Sequence, residues 1–313
     1  MDTTKALKLI ENIEKVIVGK HDTIFRVTAA LLTGGHVLIE DVPGVGKTQL
    51  ASALAKSVSG EFNRIQLTPD IMPSDIVGFS MIDPDTHKFE YRKGAAFCNF
   101  LLADEINRAS PKAQSALLEA MEEHQVSLDG NTYPLPRPFM VMATQNPVET
   151  YGTYHLPEAQ MDRFVMKISM GYPTPEEELT ILGRTEKDNP VKAISSVITT
   201  DDIIDMQESV KNIRCTESIK AYIIAICNYT RQDDALRLGV SPRGSIALYK
   251  VSKAAAFLNG RDYVVPEDVK SMAVPVLAHR IMTAPKGKTL YGTSENAVLA
   301  ALSAVPVPNT PNA

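Results

Sequence analysis

The 313-residue chain contains no tryptophan, and aromatic residues make up only 6% of it. It has three cysteines, Cys98, Cys215 and Cys227, with no Cys-x-x-Cys pair and no even set. A disulfide framework is excluded, and a reducing cytosolic setting is the simplest expectation. The histidines show no metal-ligand spacing, so a structural zinc site is not expected. Long apolar runs are also missing. A stretch such as Ala221–Cys227 falls far short of the roughly 20 residues that cross a bilayer. The first residues, Met1-Asp2-Thr3-Thr4-Lys5, are polar and do not read as a signal peptide. No basic excess is present: 32 Lys and Arg against 37 Asp and Glu leave a net charge of −5. That balance, with no interleaving of aromatic and basic residues, argues against nucleic acid as a partner. No repeat, no low-complexity block and no Asn-Lys-x-Asp guanine motif occurs.

What is there is ample apolar material, 44% of the residues, enough for about two packed domains. Over the first 170 residues or so, strand-like runs alternate with helix-like segments. The runs are His36–Glu40, Asn63–Leu67, Asn99–Ala103, Phe139–Thr144 and Val165–Met170, and the clearest helices are Thr48–Ser59 and Pro111–His124. This alternation predicts an α/β fold with a parallel sheet between helices. Gly171-Tyr172-Pro173-Thr174-Pro175 then punctuates the chain. Helical patterns follow at Glu176–Leu182, Thr200–Val210, Glu217–Thr230, Gly244–Leu258 and Glu267–His279, with caps expected at Thr174-Pro175 and Ser241-Pro242. The expected division is a core over 1–172, a helical domain over 173–305 and a disordered, proline-broken tail over 306–313.

The strongest signal is Asp41-Val42-Pro43-Gly44-Val45-Gly46-Lys47-Thr48, placed between an apolar strand and a helix. Gly44 and Gly46 let successive backbone N–H groups turn inward on phosphate oxygens, and the helix N-terminus adds partial positive charge. Lys47 is expected on the β/γ-phosphates and the Thr48 hydroxyl on Mg²⁺. The usual pattern has glycine where this chain has Asp41. A second signal is the strand Phe100-Leu101-Leu102-Ala103, which delivers Asp104 and Glu105 to the carboxyl edge of the sheet. Asp104 suits the metal shell, and Glu105 suits a general base on water, which favours hydrolysis over transfer. Asn146 follows the next strand; it reads equally as a water-orienting group and as a turn residue before Pro147.

These stretches together resemble the AAA+ ATPases, specifically the MoxR family. Leu38–Thr48, Leu101–Ala109, Ser115–Glu123, Ala143–Pro147, Leu156–Phe164 and Gly239–Arg243 carry the resemblance, in the family's order, across about Val16 to Arg280. It implies a core with a five-stranded parallel sheet followed by a smaller all-α lid. It implies ATP and Mg²⁺ as cofactors, with Val18 and Gly19 beside the adenine and Pro43, Gly44, Val45, Gly46, Lys47, Thr48 and Gln49 around the phosphates. Asn146 matches sensor 1, Arg163 the arginine finger that reaches a neighbouring subunit, and Arg243 sensor 2 on the lid. Arg243 is expected just inside a helix start, with side chain and helix dipole both toward phosphate. For Arg108, an intersubunit role and a structural ion pair both stand.

Two hairpins are expected in the core. One has strands Phe79–Ile82 and Lys88–Tyr91 about Asp83–Thr86; the other has Gln125–Leu128 and Thr132–Leu135 about Asp129-Gly130-Asn131. They match the family's inserts, either touching a partner or covering the sheet edge. The resemblance implies a ring, expected as a hexamer, with a von Willebrand factor A domain partner and a protein client in the cytoplasm. A DNA-acting motor, a chelatase-like subunit and a nucleotide-bound scaffold with little turnover are the competing readings.

Overall fold

The computed structural model describes residues 3–82, 84–85, 87–147, 153–185 and 190–308. Two turn residues of the first expected hairpin, Asp83 and Thr86, and residues 309–313 of the expected tail lie outside them.

Among the described residues, nine strands lie between positions 37 and 168: β1 (Val37–Glu40), β2 (Phe62–Gln66), β3 (Gly78–Ile82), β4 (Phe89–Lys93), β5 (Phe100–Asp104), β6 (Gln125–Leu128), β7 (Asn131–Pro134), β8 (Met140–Gln145) and β9 (Met166–Ile168). Five of them form one sheet in the order β2-β5-β8-β1-β9, and every pairing is parallel. Adjacent helices are α1 (Thr4–Glu14), α2 (His21–Leu32), α3 (Lys47–Ser57), α4 (Pro73–Val77), α5 (Pro111–Glu123) and α6 (Glu158–Met161).

The central strands are apolar on both sides, so they carry helices on both faces. Alternation divides their side chains cleanly. Val37, Ile39, Phe100, Leu102, Met140 and Met142 face one layer with α1, α2 and α3. Leu38, Leu101, Ala103, Val141 and Ala143 face the other, against Leu117, Leu118 and Met121 of α5. β3 pairs antiparallel with β4, and β6 with β7. In the second pair Asp129 and Gly130 take the positive φ angles, 51° and 76°, that a tight turn requires.

The second half holds α7 (Pro175–Thr185), α8 (Pro190–Ala193), α9 (Thr200–Lys211), α10 (Glu217–Gln232), α11 (Pro242–Leu258), α12 (Pro266–Leu277), α13 (Pro285–Leu290) and α14 (Ser294–Ala304). Caps form where the sequence supplies them: Ser241 Oγ accepts from Gly244 N, and Thr174 Oγ1 accepts from Glu177 N. The expected helical lid is present and carries one short strand pair besides. Short strands β10 (Leu236–Leu238) and β11 (Met282–Thr283) pair there antiparallel. The apolar layer beneath α1 and α2 continues without a break into Ile203, Met206, Leu248 and Val251, so the helical half is packed onto one face of the core. Pro306–Pro308 carries no helix.

Candidate nucleotide site

β1 lies between β8 and β9, so the chain crosses over to either side of it. Ligands of open parallel sheets gather outside the carboxyl ends of the strands at such a switch point. The loop leaving β1 turns on Gly44 and Gly46, with φ of 87° and 96°, and α3 begins at Lys47. A cavity of about 620 Å³ opens there. Val18, Gly44, Val45, Gly46, Lys47, Thr48 and Gln49 line it, while Pro43 and Gly19 flank it without lining it. Gly19 has a φ of 70° and packs against the Glu177 carboxylate, leaving no room for a Cβ. Sequence reasoning missed Met170, Pro173, Ile181 and Arg184, which also line the cavity. They come from the linker and α7, whose place beside the loop depends on the tertiary fold.

Asp41 stands where the pattern has glycine, and the structure supplies a reason. Its carboxylate accepts from Val42 N at 2.9 Å, Ser169 Oγ at 2.9 Å, Met170 N at 2.7 Å and Gly171 N at 2.8 Å. Burial by itself would raise its pKa, but these four donors outweigh that and hold the carboxyl below its ordinary value. The Asp41 carbonyl oxygen accepts from Lys47 Nζ at 2.7 Å. One residue thus ties the phosphate loop to the linker leaving β9. Burial lowers the pKa of Lys47, against the opposing charges of Asp41, Asp104 and Glu105. The cation and the three carboxylates therefore share one electrostatic site.

At the tip of β5, Asp104 accepts from Arg64 Nε at 2.7 Å and from Thr144 Oγ1 at 3.1 Å. Thr144 Oγ1 in turn accepts from Glu105 N at 2.9 Å. Arg64 carries no local motif, and the motif stretch holding Thr144 gives no sign of this contact; strand register aligns β2 and β8 on either side of β5. Glu105 adopts φ 58° and ψ 51°, a left-handed conformation that costs a non-glycine residue about 1 kcal/mol. Its carboxylate pairs with Arg108 Nη1 at 3.1 Å. Asn146 is buried just past the end of β8. Because β8 runs between β5 and β1, Asn146 sits between the acidic tip and the phosphate loop.

The two remaining arginines are elsewhere. Arg163 donates to the Leu118 carbonyl at 2.9 Å and pairs with Glu122 at 2.5 Å. Arg243 pairs with the other oxygen of Glu122 at 2.6 Å. Both line a separate cavity of about 220 Å³, and neither lines the nucleotide cavity. Arg243, expected toward phosphate, thus stands away from the phosphate loop of its own chain. α11 is docked on α2 and held by Ser241 Oγ to Asp162 at 2.9 Å, which carries Arg243 to the Arg163 side.

Comparison with known proteins points to one family. Residues 36–166 match the ATPase family associated with various cellular activities (AAA), and residues 228–301 match the AAA lid domain. An uncharacterised Bacillus subtilis protein, YeaC, is 53% identical, covering 96% of this chain and 94% of its own. Chaperone MoxR1 of Mycobacterium tuberculosis is 42% identical over 88% of this chain and 75% of its own. Protein MoxR of Paracoccus denitrificans is 30% identical over 94% and 93%. A solved structure from Cytophaga hutchinsonii, assigned as a candidate ATPase, superposes with a TM-score of 0.90 at 39% identity, covering 97% of this chain and 95% of that one. The chain belongs to the MoxR family of AAA ATPases: a nucleotide-binding α/β core followed by a helical lid.

Proposed function

We propose that this protein hydrolyses ATP in a ring, expected as a hexamer, and uses the cycle to remodel or mature protein clients. The observation that carries the reading is the meeting of Arg163 and Arg243 on Glu122, apart from the loop that would hold their phosphates. Two arginines from different domains, gathered on one half-exposed carboxylate, form a cationic face suited to a neighbour's nucleotide. An arginine given across an interface contributes about 10³–10⁵ in rate in comparable phosphoryl-transfer systems.

In this mechanism the backbone between Gly44 and Thr48 and the Lys47 ammonium cradle the phosphates of ATP. The apolar wall near Val18 and Gly19 receives the base. The donor set suits Mg²⁺: the Thr48 hydroxyl at the helix start, and the Asp104 carboxylate already aligned by Thr144. Bound there, Mg²⁺ would draw charge from the phosphate oxygens. Glu105 takes a proton from the attacking water, and Asn146 orients that water. Glu105 must first leave Arg108, so the Glu105–Arg108 pair describes a resting site. The core spans 1–172 and the lid 173–305 in this reading, and the lid and both hairpins move with turnover. Phe79, Ile82 and Phe89 on the first hairpin are 49%, 56% and 79% exposed, which supports contact with a partner such as a von Willebrand factor A domain protein or with a client. No described helix is long and apolar enough to cross a membrane. The cytosol is the setting this reading implies, with all three cysteines free.

The test is ATP hydrolysis per subunit across a dilution series with Mg²⁺, repeated with Arg163→Ala mixed into wild type. Activity that climbs with concentration and falls on mixing supports a site shared between subunits. Activity flat with concentration and indifferent to the variant would sink the ring reading while leaving the phosphate loop intact.

A further inference from the structure

A second cavity, of about 520 Å³, opens where the lid meets the core. It is built from the end of α2, from His124 after α5, from residues 137–139 ahead of β8, and from one face each of α9 and α11. Four long cations line it: Arg137, Lys211, Lys250 and Lys253. The only carboxylate in the lining is Glu208, and Lys211 neutralises it at 2.5 Å. Among the described residues, no carboxylate lies within ion-pair distance of Arg137, Lys250 or Lys253.

Lys253 is the telling residue. It is 7% exposed as a whole residue, although it lines the cleft. Its Nζ donates to the Lys211 carbonyl oxygen and lies 5.3 Å from the centre of the Tyr249 ring. A carbonyl and a ring face compensate a charge only in part, and a buried cation without a counter-charge is costly. The protein gains nothing in stability from collecting three unpaired cations around one cleft. An anion with several charges would repay that arrangement, and lysines act as point charges on phosphate oxygens. Leu32, Phe139, Ile204, Val210 and Tyr249 give the lining an apolar, partly aromatic part, beside the polar Thr33, His124 and Gln207. The volume falls within the usual range of small-molecule sites.

We propose that this cleft binds a small organic phosphate. The phosphate sits on Lys250, Lys253 and Arg137, and the organic part lies against Phe139 and Tyr249. Arg137 and Phe139 belong to the core, whereas Lys250 and Lys253 belong to the lid, so the ligand joins the two. Occupancy would hold the lid in the position described here. The cleft shares no lining residue with the nucleotide cavity, whereas Thr33, Gly34 and Lys250 also line the cavity that holds Arg163 and Arg243.

The experiment uses the full chain carrying Lys47→Ala, so that phosphate binding at the loop does not mask the second site. Calorimetric titration is run with phenyl phosphate, with pyrophosphate and with a short polyglutamate peptide, followed by hydrogen exchange with phenyl phosphate present. Phenyl phosphate is expected to bind, and to slow exchange in α9 and in residues 135–139. Lys250→Glu and Arg137→Ala, both exposed positions whose change leaves packing intact, are each expected to weaken binding about 10-fold or more, the scale of one charge-assisted contact. Binding that survives both substitutions, or none by phenyl phosphate, overturns the proposal. So does binding of pyrophosphate alone or of polyglutamate alone, because the first removes the organic part and the second removes phosphate as the ligand class.

Discussion

Single side chains decide the chemistry of the nucleotide site. Glu105 is held by Arg108 and by the left-handed turn after β5, and its carboxylate carries the general-base role in the proposed mechanism. Replacing it by Gln keeps the shape and removes the base. Glu105→Gln is expected to bind ATP as wild type does and to lose hydrolysis by about 10²–10⁴. Equal turnover in a single-turnover assay would remove Glu105 from the mechanism. Asp41 acts differently, through position. Asp41→Ala deletes the acceptor of three N–H groups and one hydroxyl, an expected loss of about 1–3 kcal/mol in unfolding experiments. Its pH signature has a definite sign. The folded-state pKa of Asp41 lies below the ordinary 3.8, so its contribution is complete above about pH 4 and is lost as acid approaches the depressed value. Asp41→Asn, which keeps size but not charge, should flatten the stability curve in that acid range. A curve unchanged by the substitution would show that the linker does not depend on the carboxylate.

At the scale of elements, the two hairpins are joined. The Tyr91 ring of β4 stacks on Tyr133 of β7 with centroids 4.1 Å apart and planes 16° from parallel. A double-mutant cycle of Tyr91→Ala and Tyr133→Ala should give a coupling energy of about 0.5–1.5 kcal/mol. A coupling near zero would mean that the hairpins answer to the sheet separately. β1 is tied to its surroundings through His36 just before it. His36 Nε2 bonds the Met121 carbonyl at 2.9 Å, and Nδ1 accepts from Val141 N at 3.0 Å. The ring is therefore neutral with its proton on Nε2. Full burial is the largest cause that brings its pKa down to about 4. The unfolded chain protonates this ring near pH 6.5, so it binds more protons than the folded chain between about 6.5 and 4. Stability should fall through that window as pH drops, and His36→Gln should reduce the slope. Denaturant unfolding at several pH values between 4 and 7 reads this directly. The same measurement on wild type includes His279, which is lowered by burial in the same direction.

Across the whole molecule, Arg280 joins the halves. It is 5% exposed and donates to the Asp162 carboxylate at 2.6 Å and to the carbonyls of Phe164 and Val165 at 2.7 and 3.1 Å. Burial lowers its pKa and Asp162 opposes the shift, so the pair holds only while both partners remain. Arg280→Met strands Asp162 and three or more carbonyl groups. A loss of about 3–5 kcal/mol is expected, with the lid unfolding earlier than the sheet in hydrogen exchange. One cooperative transition of wild-type midpoint would contradict that role.

The sequence by itself determined the parts whose physics is local. Alternating apolar runs, glycines at two positive-φ positions and a helix start after Lys47 are consequences of neighbouring residues, so the sheet, the phosphate loop and the Asp104-Glu105 tip were legible. Asp129-Gly130 and Ser241-Pro242 were legible for the same reason, since a turn or a cap needs only a few adjacent residues. The terminal helices α1, α2, α13 and α14 were not named, and the β10–β11 pair was not foreseen. They are short, or hold their place through contacts far along the chain. Only the tertiary structure decided that Asp41 grips the linker 130 residues further on. The same holds for Arg64 and Thr144, which flank Asp104 through strand order. It holds most of all for Arg243, which packing of α11 against α2 carries to Arg163 and away from its own phosphate loop. Such contacts are set by how layers dock, and a one-dimensional pattern carries no measure of that distance.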